Sequence, residues 1–432
     1  MKDIEKRIIE SVEKKRCEII EFVRSLIKYQ SVNEPPTGRE LECQKFIAKK
    51  LKELDLKVDM FTPDEVGVMK THPAYAPCGS SGYPRIYENR PNVVGVWKSE
   101  HDGRSIILNG HVDVFPVMTN EKWIFDPWAA KTANGMIYGR GASDMKGGLG
   151  AMLMAMECLQ EAGIKPKGDI IFESVVDEEF GGGNGTLATI LKGYQAHAAI
   201  CGEPSELRVC PVGYGGFLFD VKVKGKNAHP FYKKQGVNAI DVGIKIVEAL
   251  KRLENNRSKK ARETPLFSYF DPACPIMIRS FNTGEHVGGG LAPSCTIRAW
   301  IATLPNEQKA DVLNQIANYF EIISKDFPIL EENPPEVSCL GRYLEPWITD
   351  PDDPFVETLK STVQKITRKG AKVTAGLTCD AFLFSKYAKI PTVIFGPGSA
   401  LSAHNIDESI SIHELVLATK IYALTIYRWC NS

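Results

Sequence analysis

Apolar positions in the first half of the chain switch between two periods. Glu40–Leu54 and Lys146–Ala162 repeat them at helical spacing, whereas Asn92–Trp97, Ser105–Leu108, Asp169–Val176 and Ala198–Cys201 form short, nearly continuous apolar runs. Runs of that kind between helices predict buried strands of an α/β sheet covered on both faces, with ligand-binding loops at the strand ends. Met1–Arg24 carries Ile8, Ile9, Ile19, Ile20 and Val23 at helical spacing among charges, which predicts a surface helix rather than a signal peptide or membrane span. The stretch from Phe61 to Pro91 is too rich in Gly and Pro for a turn and reads as an ordered surface excursion.

Beyond Pro211 the pattern changes. Gly216–Lys224 alternates as a strand, Val237–Leu253 is helical, Ile276–Phe281 and Cys295–Leu304 are strand-like, Asn306–Ser324 is helical, and Val337–Leu340 is short and apolar. The order βαββαβ is the ferredoxin-like arrangement, which folds as a unit. It places an inserted α+β domain at 212–340 within a first domain made of 1–211 and 341–432. The first pattern then returns with Phe355–Arg368, Thr392–Phe395 and Ile412–Arg428, the last helix opening on a capping box of Ser411 and Glu414.

Length agrees with two domains, since 432 residues exceed what one core usually serves. The 53 basic and 53 acidic residues cancel, which removes any electrostatic bias towards nucleic acid or anionic membrane and favours a small neutral or zwitterionic partner. Eleven cysteines without a CxxC pair read as reduced, buried thiols of a cytoplasmic protein.

Five segments set an imidazole or carboxylate beside glycine or a turn. They are "GHVDV" with His111 and Asp113, "GRGASDMKGG" with Asp144, "VVDEEFGGG" with Asp177, Glu178 and Glu179, "CGEPS" with Glu203, and "SAHNIDES" with His404. Each alone is an ordinary core or turn residue. Together, at predicted strand ends of one sheet, they match the nitrogen and oxygen donors preferred by zinc, with cobalt or manganese as substitutes. The Gly-rich "GRGASDMKGG" and "GYGGF" fit neither phosphate-loop pattern.

In this order, with an inserted domain, these motifs resemble the zinc-dependent M20 peptidase and deacylase family, which includes acetylornithine deacetylase, succinyl-diaminopimelate desuccinylase, aminoacylase and glutamate carboxypeptidase. The resemblance covers nearly the whole chain. It implies a zinc-exopeptidase-like catalytic domain, with the inserted domain acting as lid and dimerisation domain of a homodimer. It further implies two Zn²⁺ per subunit, one on His111, Asp144 and Glu203 and the other on Asp144, Glu179 and His404. Asp113 would then accept a hydrogen bond from the second nitrogen of His111. Adjacent residues of an extended segment point oppositely, so Glu179 would face the metal and Glu178 would act as general base. His229, in "GKNAHP" of the lid, would stabilise the oxyanion in the neighbouring subunit's site.

Glu203 favours deacylation or carboxypeptidase action in that family. Phe382 stands in "GLTCDAFLF" where an Arg would often receive a substrate carboxylate, Ala292 replaces a common Asn, and "FGPGSA" should line the pocket floor. Arg279 and Arg298 read as surface residues before anchors, Asn238 as a polar residue of the lid helix, and His72, His101, His197, His286 and His413 as structural or solvated. The implied function is hydrolysis of an N-acyl amino acid or related N-acyl amine. A metallo-exopeptidase is the alternative, and a non-catalytic metal-dependent dimer that only binds ligand is a third, which the general base Glu178 disfavours.

Overall fold

A computed structural model describes residues 2–79, 82–118, 120–284, 290–325, 327 and 329–431. The chain packs as two compact units, Met1–Val212 with Trp347–Ser432, and Gly213–Pro346.

The first unit is built on a nine-stranded sheet. Its order is Trp347–Ile348, Val209–Gly213, Thr392–Ile394, Ala198–Cys201, Ile106–His111, Ile170–Val175, Asn92–Trp97 and Lys57–Phe61, with Val373–Gly376 paired to Val209–Gly213. The four strands from Thr392–Ile394 to Ile170–Val175 are parallel. Every residue of Ile106–His111, Ile170–Val175 and Ala198–Cys201 is buried, which is why Ile106–Leu108, Ile170–Phe172 and Ala198–Cys201 are apolar without alternation, while Asn109, His111, Glu173 and Ser174 are buried polar residues at the carboxyl ends. Parallel strands also bring their carboxyl ends to one side, so the loops that follow them share an edge.

Helix Gly147–Glu161 is buried along most of its length and packs on Ile412–Cys430, with Gly148 so close to Gly202 that a Cβ would sit 1.9 Å from its carbonyl oxygen. The N-terminal segment is two helices, Lys2–Lys14 and Arg16–Lys28, rather than one surface helix. Ile8, Val12, Ile19, Phe22, Val23, Leu26 and Ile27 are buried. At about 1.5–3 kcal/mol each as an upper bound, their burial rivals the net stability of a domain, which makes these helices part of the core.

The second unit is an antiparallel sheet in the order Ile276–Asn282, Ser294–Thr303, Gly215–Lys224, Glu336–Leu344, with helices Ala239–Ala261 and Lys309–Ser324. Phe217, Phe219, Val221 and Val223 are buried and form its core with the helices, alternating with Asp220, Lys222 and Lys224 from Phe219 onward, while Leu218 on the other face is buried too. The unit closes at Pro346, because the last strand, read from sequence as 337–340, continues to Leu344. Asn238 caps the first helix by accepting a hydrogen bond from Ile240 N at 3.2 Å. All eleven cysteines are free; Cys17 is exposed and Cys78 and Cys339 are half-buried, so not every thiol is a core residue.

Candidate metal centre

Each segment singled out by its glycines follows a strand or opens a helix. His111 ends its strand, Glu178 and Glu179 lie in the turn after Ile170–Val175, and Glu203 is two residues beyond Cys201. Asp144 precedes helix Gly147–Glu161, and His404 lies between Thr392–Ile394 and Ser409–Ser411. The fold brings all of them together. His111 Nε2 lies 3.1 Å from Asp144 Oδ1, 3.8 Å from Glu203 Oε1 and 3.9 Å from Glu178 Oε2. His404 Nε2 lies 2.7 Å from Glu179 Oε2 and 3.3 Å from Asp144 Oδ2. Two groups result, His111 with Asp144 and Glu203, and Asp144 with Glu179 and His404; within each, the donor atoms are no more than 4.8 Å apart. Asp144 belongs to both, one carboxylate oxygen towards each.

Crowded acids and imidazoles shift one another. Burial pushes Glu178 well above the ordinary carboxylate value, and brings Glu203 to about 8 and Glu179 to about 7, with neighbouring carboxylates adding to the effect. Burial would lower the pKa of both histidines, yet the surrounding acids hold His111 well above its usual value and His404 at about 11. Burial alone would raise Asp144, but its hydrogen bonds to both imidazoles keep it low. Such a cluster needs positive charge to stay anionic. Glu179 Oε1 is buried without a hydrogen-bond partner, and the donors are all imidazole nitrogen or carboxylate oxygen. The residues therefore fit a pair of divalent cations.

Surrounding residues hold these groups in place, some of them differently from expectation. The acceptor for His111 Nδ1 is the backbone carbonyl of Asp113, at 2.8 Å, not its carboxylate, which is 3.7 Å away. That carboxylate is engaged by stronger demands: it accepts from Asn33 Nδ2 at 2.8 Å and from the backbone N–H groups of Glu178 and Glu179 at 3.1 and 3.2 Å. Asp113 thus fixes the turn that carries both glutamates. Glu408 does the same for Asp144, accepting from the N–H groups of Ser143 and Asp144 while Arg140 neutralises it at 2.8 Å. Neither Glu408 nor Arg140 was singled out by the sequence, although both stand inside the quoted motifs, as the second acid of "NIDES" and the R of "GRGASD".

The Phe61–Pro91 excursion supplies a third support. Asp177, at φ 70°, is fully buried and accepts from Tyr87 Oη at 2.6 Å. Arg85 Nη1 lies 2.9 Å from Asp177 Oδ1, and Arg85 Nη2 donates to Phe180 O at 2.9 Å. One guanidinium spans both ends of the turn holding Glu178 and Glu179. Arg90, bound to Glu40 at 2.6–3.0 Å, completes a buried set of two cations and two anions.

"FGPGSA" reaches the Asp144 loop: Ser399 N donates to Ser143 Oγ at 2.9 Å, and Gly398, at φ 89°, leaves no room for a Cβ beside that oxygen. Gly398 N donates to Glu414, whose carboxylate is thereby turned to this loop while Ser411 caps the last helix. Phe382 is buried. His229 belongs to the second unit, exposed, accepting from Phe231 N at 3.4 Å. Arg298 pairs with Asp220 at 2.8 Å and Arg279 is exposed. His72 accepts a hydrogen bond from Ala74 N and His197 from Ser105 N, His101 and His413 are exposed, and His286 lies outside the described residues.

Comparison with known proteins agrees with this geometry. The family described as Peptidase family M20/M25/M40 matches residues 107–428. An N-formyl-4-amino-5-aminomethyl-2-methylpyrimidine deformylase of Bacillus subtilis is 30% identical over 97% of this chain and 96% of its own. A succinyl-diaminopimelate desuccinylase of Pseudoalteromonas atlantica is 26% identical over 94% of this chain and 97% of its own. Among solved structures, a Bacillus subtilis protein described as a dinuclear metal binding peptidase superposes with a TM-score of 0.65 at 16% identity, over 97% of this chain and 99% of that one. A family match over 107–428, a range that contains every residue of the cluster, with a relative 30% identical over nearly the whole length, means that this chain belongs to peptidase family M20/M25/M40.

Proposed function

We propose that this chain is a di-metal amide hydrolase that removes a small acyl group from an N-acyl amine, with zinc as the cation its donor set suits best. The observation that carries the reading is Asp144, shared by the two donor groups with Glu178 beside them. His111, Asp144 and Glu203 would hold one cation and Asp144, Glu179 and His404 the other. Bound there, the pair supplies Lewis acidity that acidifies water and polarises a carbonyl. Glu178, not a member of either group, takes the proton of the attacking water and delivers it to the departing amine nitrogen. Asp113, Glu408 and Arg85 keep the carboxylates aimed. His229 is assigned the oxyanion donor in a partner's site, in a cytoplasmic homodimer joined through the Gly213–Pro346 unit.

Two features favour a short acyl group on an amine without a carboxylate. The deformylase relative matches more fully than the desuccinylase. Phe382 offers no cation where a carboxylate would be received. The exopeptidase reading rests on fold likeness at 16% identity, which does not reach substrate. The test is hydrolysis of N-formylated arylmethylamines against N-acetyl and N-succinyl amino acids and dipeptides by the zinc-loaded protein. Deformylation should lead; brisk dipeptide cleavage with no deacylation would overturn the reading.

A further inference from the structure

The two imidazoles of the cluster are held by different means. His111 is buried, and its Nδ1 bonds to Asp113 O at 2.8 Å, which pins the ring. His404 is 44% exposed, sits at φ 58° in an irregular loop, and its Nδ1 has no hydrogen-bond partner among the described residues. A histidine aimed at a cation ordinarily donates its second N–H to something that fixes the plane of the ring. Here a ring takes that place. Phe115 lies against His404 with centroids 4.7 Å apart and planes 18° apart, and it also stacks with Phe180 at 5.1 Å and 18°.

The stack is anchored at its far end. Phe180 follows Glu179 directly, and its carbonyl oxygen is held by Arg85 at 2.9 Å. Phe115 lies two residues beyond Asp113 and directly after Val114, which is buried and bridges to Val32. Both phenyl rings are half-buried, so together they present a flat apolar wall to the exposed imidazole. An offset stack with a phenyl face also becomes more favourable as the imidazole loses electron density, which is what coordination or protonation at Nε2 does to it.

From this we infer that Phe115 is a positioning residue specific to the second cation: by stacking on His404 it substitutes for the missing Nδ1 hydrogen bond and sets the affinity of the group made of Asp144, Glu179 and His404. The group made of His111, Asp144 and Glu203 does not use it. This rests on the proposed pair of cations, and the experiment separates the two claims.

Metal-free full-length protein is titrated with Zn²⁺ by calorimetry, as wild type, Phe115→Leu, Phe115→Met, Phe115→Tyr and His404→Ala, each checked for an unchanged melting profile. Wild type should bind two cations, and His404→Ala identifies which step belongs to the second group. Phe115→Leu should weaken that step by about 10–100-fold, the range found when support of a ligating histidine is removed, and leave the other within about threefold. Phe115→Met, which fills the space without a flat ring, should show the same selective weakening and carries the test if Phe115→Leu unfolds, and Phe115→Tyr should retain wild-type affinity. Equal weakening of both steps, or none in Phe115→Leu and Phe115→Met, overturns the inference while leaving the di-metal reading intact. A wild type that takes up fewer than two cations overturns both.

Discussion

Glu178 and Glu179 are neighbours with separate duties, and the difference is measurable. Glu178→Gln should lower kcat by about 10²–10⁴-fold with metal content unchanged by elemental analysis, because a proton carrier is lost and no ligand is. A quieter residue gives a pH test. Glu173 is buried in the central sheet with its Oε2 accepting from Asn109 and Thr189, and burial lifts its pKa from 4.5 to about 7. The folded state therefore favours the protonated acid, so this contribution to stability is complete below pH 4.5 and is lost as pH rises towards 7. Wild type should lose up to ~1.4 kcal/mol per pH unit across that window relative to Glu173→Gln, read from urea unfolding at several pH values. At this scale the sequence told which residues matter better than what each touches. Asp113 was legible as a partner of the cluster, but whether its carboxylate serves His111 or the Glu178–Glu179 backbone depends on a loop 65 residues away.

Elements were legible in proportion to how much of their burial is local. Ile106–His111, Ile170–Val175 and Ala198–Cys201 are buried on both faces and contain apolar runs; Phe219–Lys224 alternates and reads as a one-sided strand. Trp347–Ile348 and Val373–Gly376 span two and four residues, too few for a period to show, and exist because a neighbouring strand offers free backbone groups. The Phe61–Pro91 excursion was legible as ordered but not as useful. Its value lies in Arg85, Tyr87 and Arg90, whose partners Asp177 and Glu40 are far off in sequence. Arg85→Met should cost about 3–5 kcal/mol in urea unfolding, since it leaves Asp177 buried without its nearest cation. A loss below ~1 kcal/mol would show that the turn does not depend on the excursion.

The whole molecule joins a unit that carries the cluster to one that exposes apolar surface. On Gly213–Pro346, Ile240 and Ile244 of one helix and Met277 and Phe281 of the edge strand are each 36% exposed or more, and Phe281 lies against Gly243 of that helix. An open strand edge beside apolar side chains is the kind of surface a second copy covers. Sedimentation should report a dimer, and a double change of Ile244→Lys and Phe281→Lys a monomer. Both domain types were readable from the change of pattern near Pro211, whereas a homodimer was expected only from the family resemblance, because association of copies leaves no trace in periodicity. All mechanistic statements return to one shared carboxylate, and the most direct measurement is the metal content of Asp144→Ala beside wild type after zinc loading and desalting. Two cations in wild type and none in Asp144→Ala are expected; a variant that still retains a full pair would contradict the account.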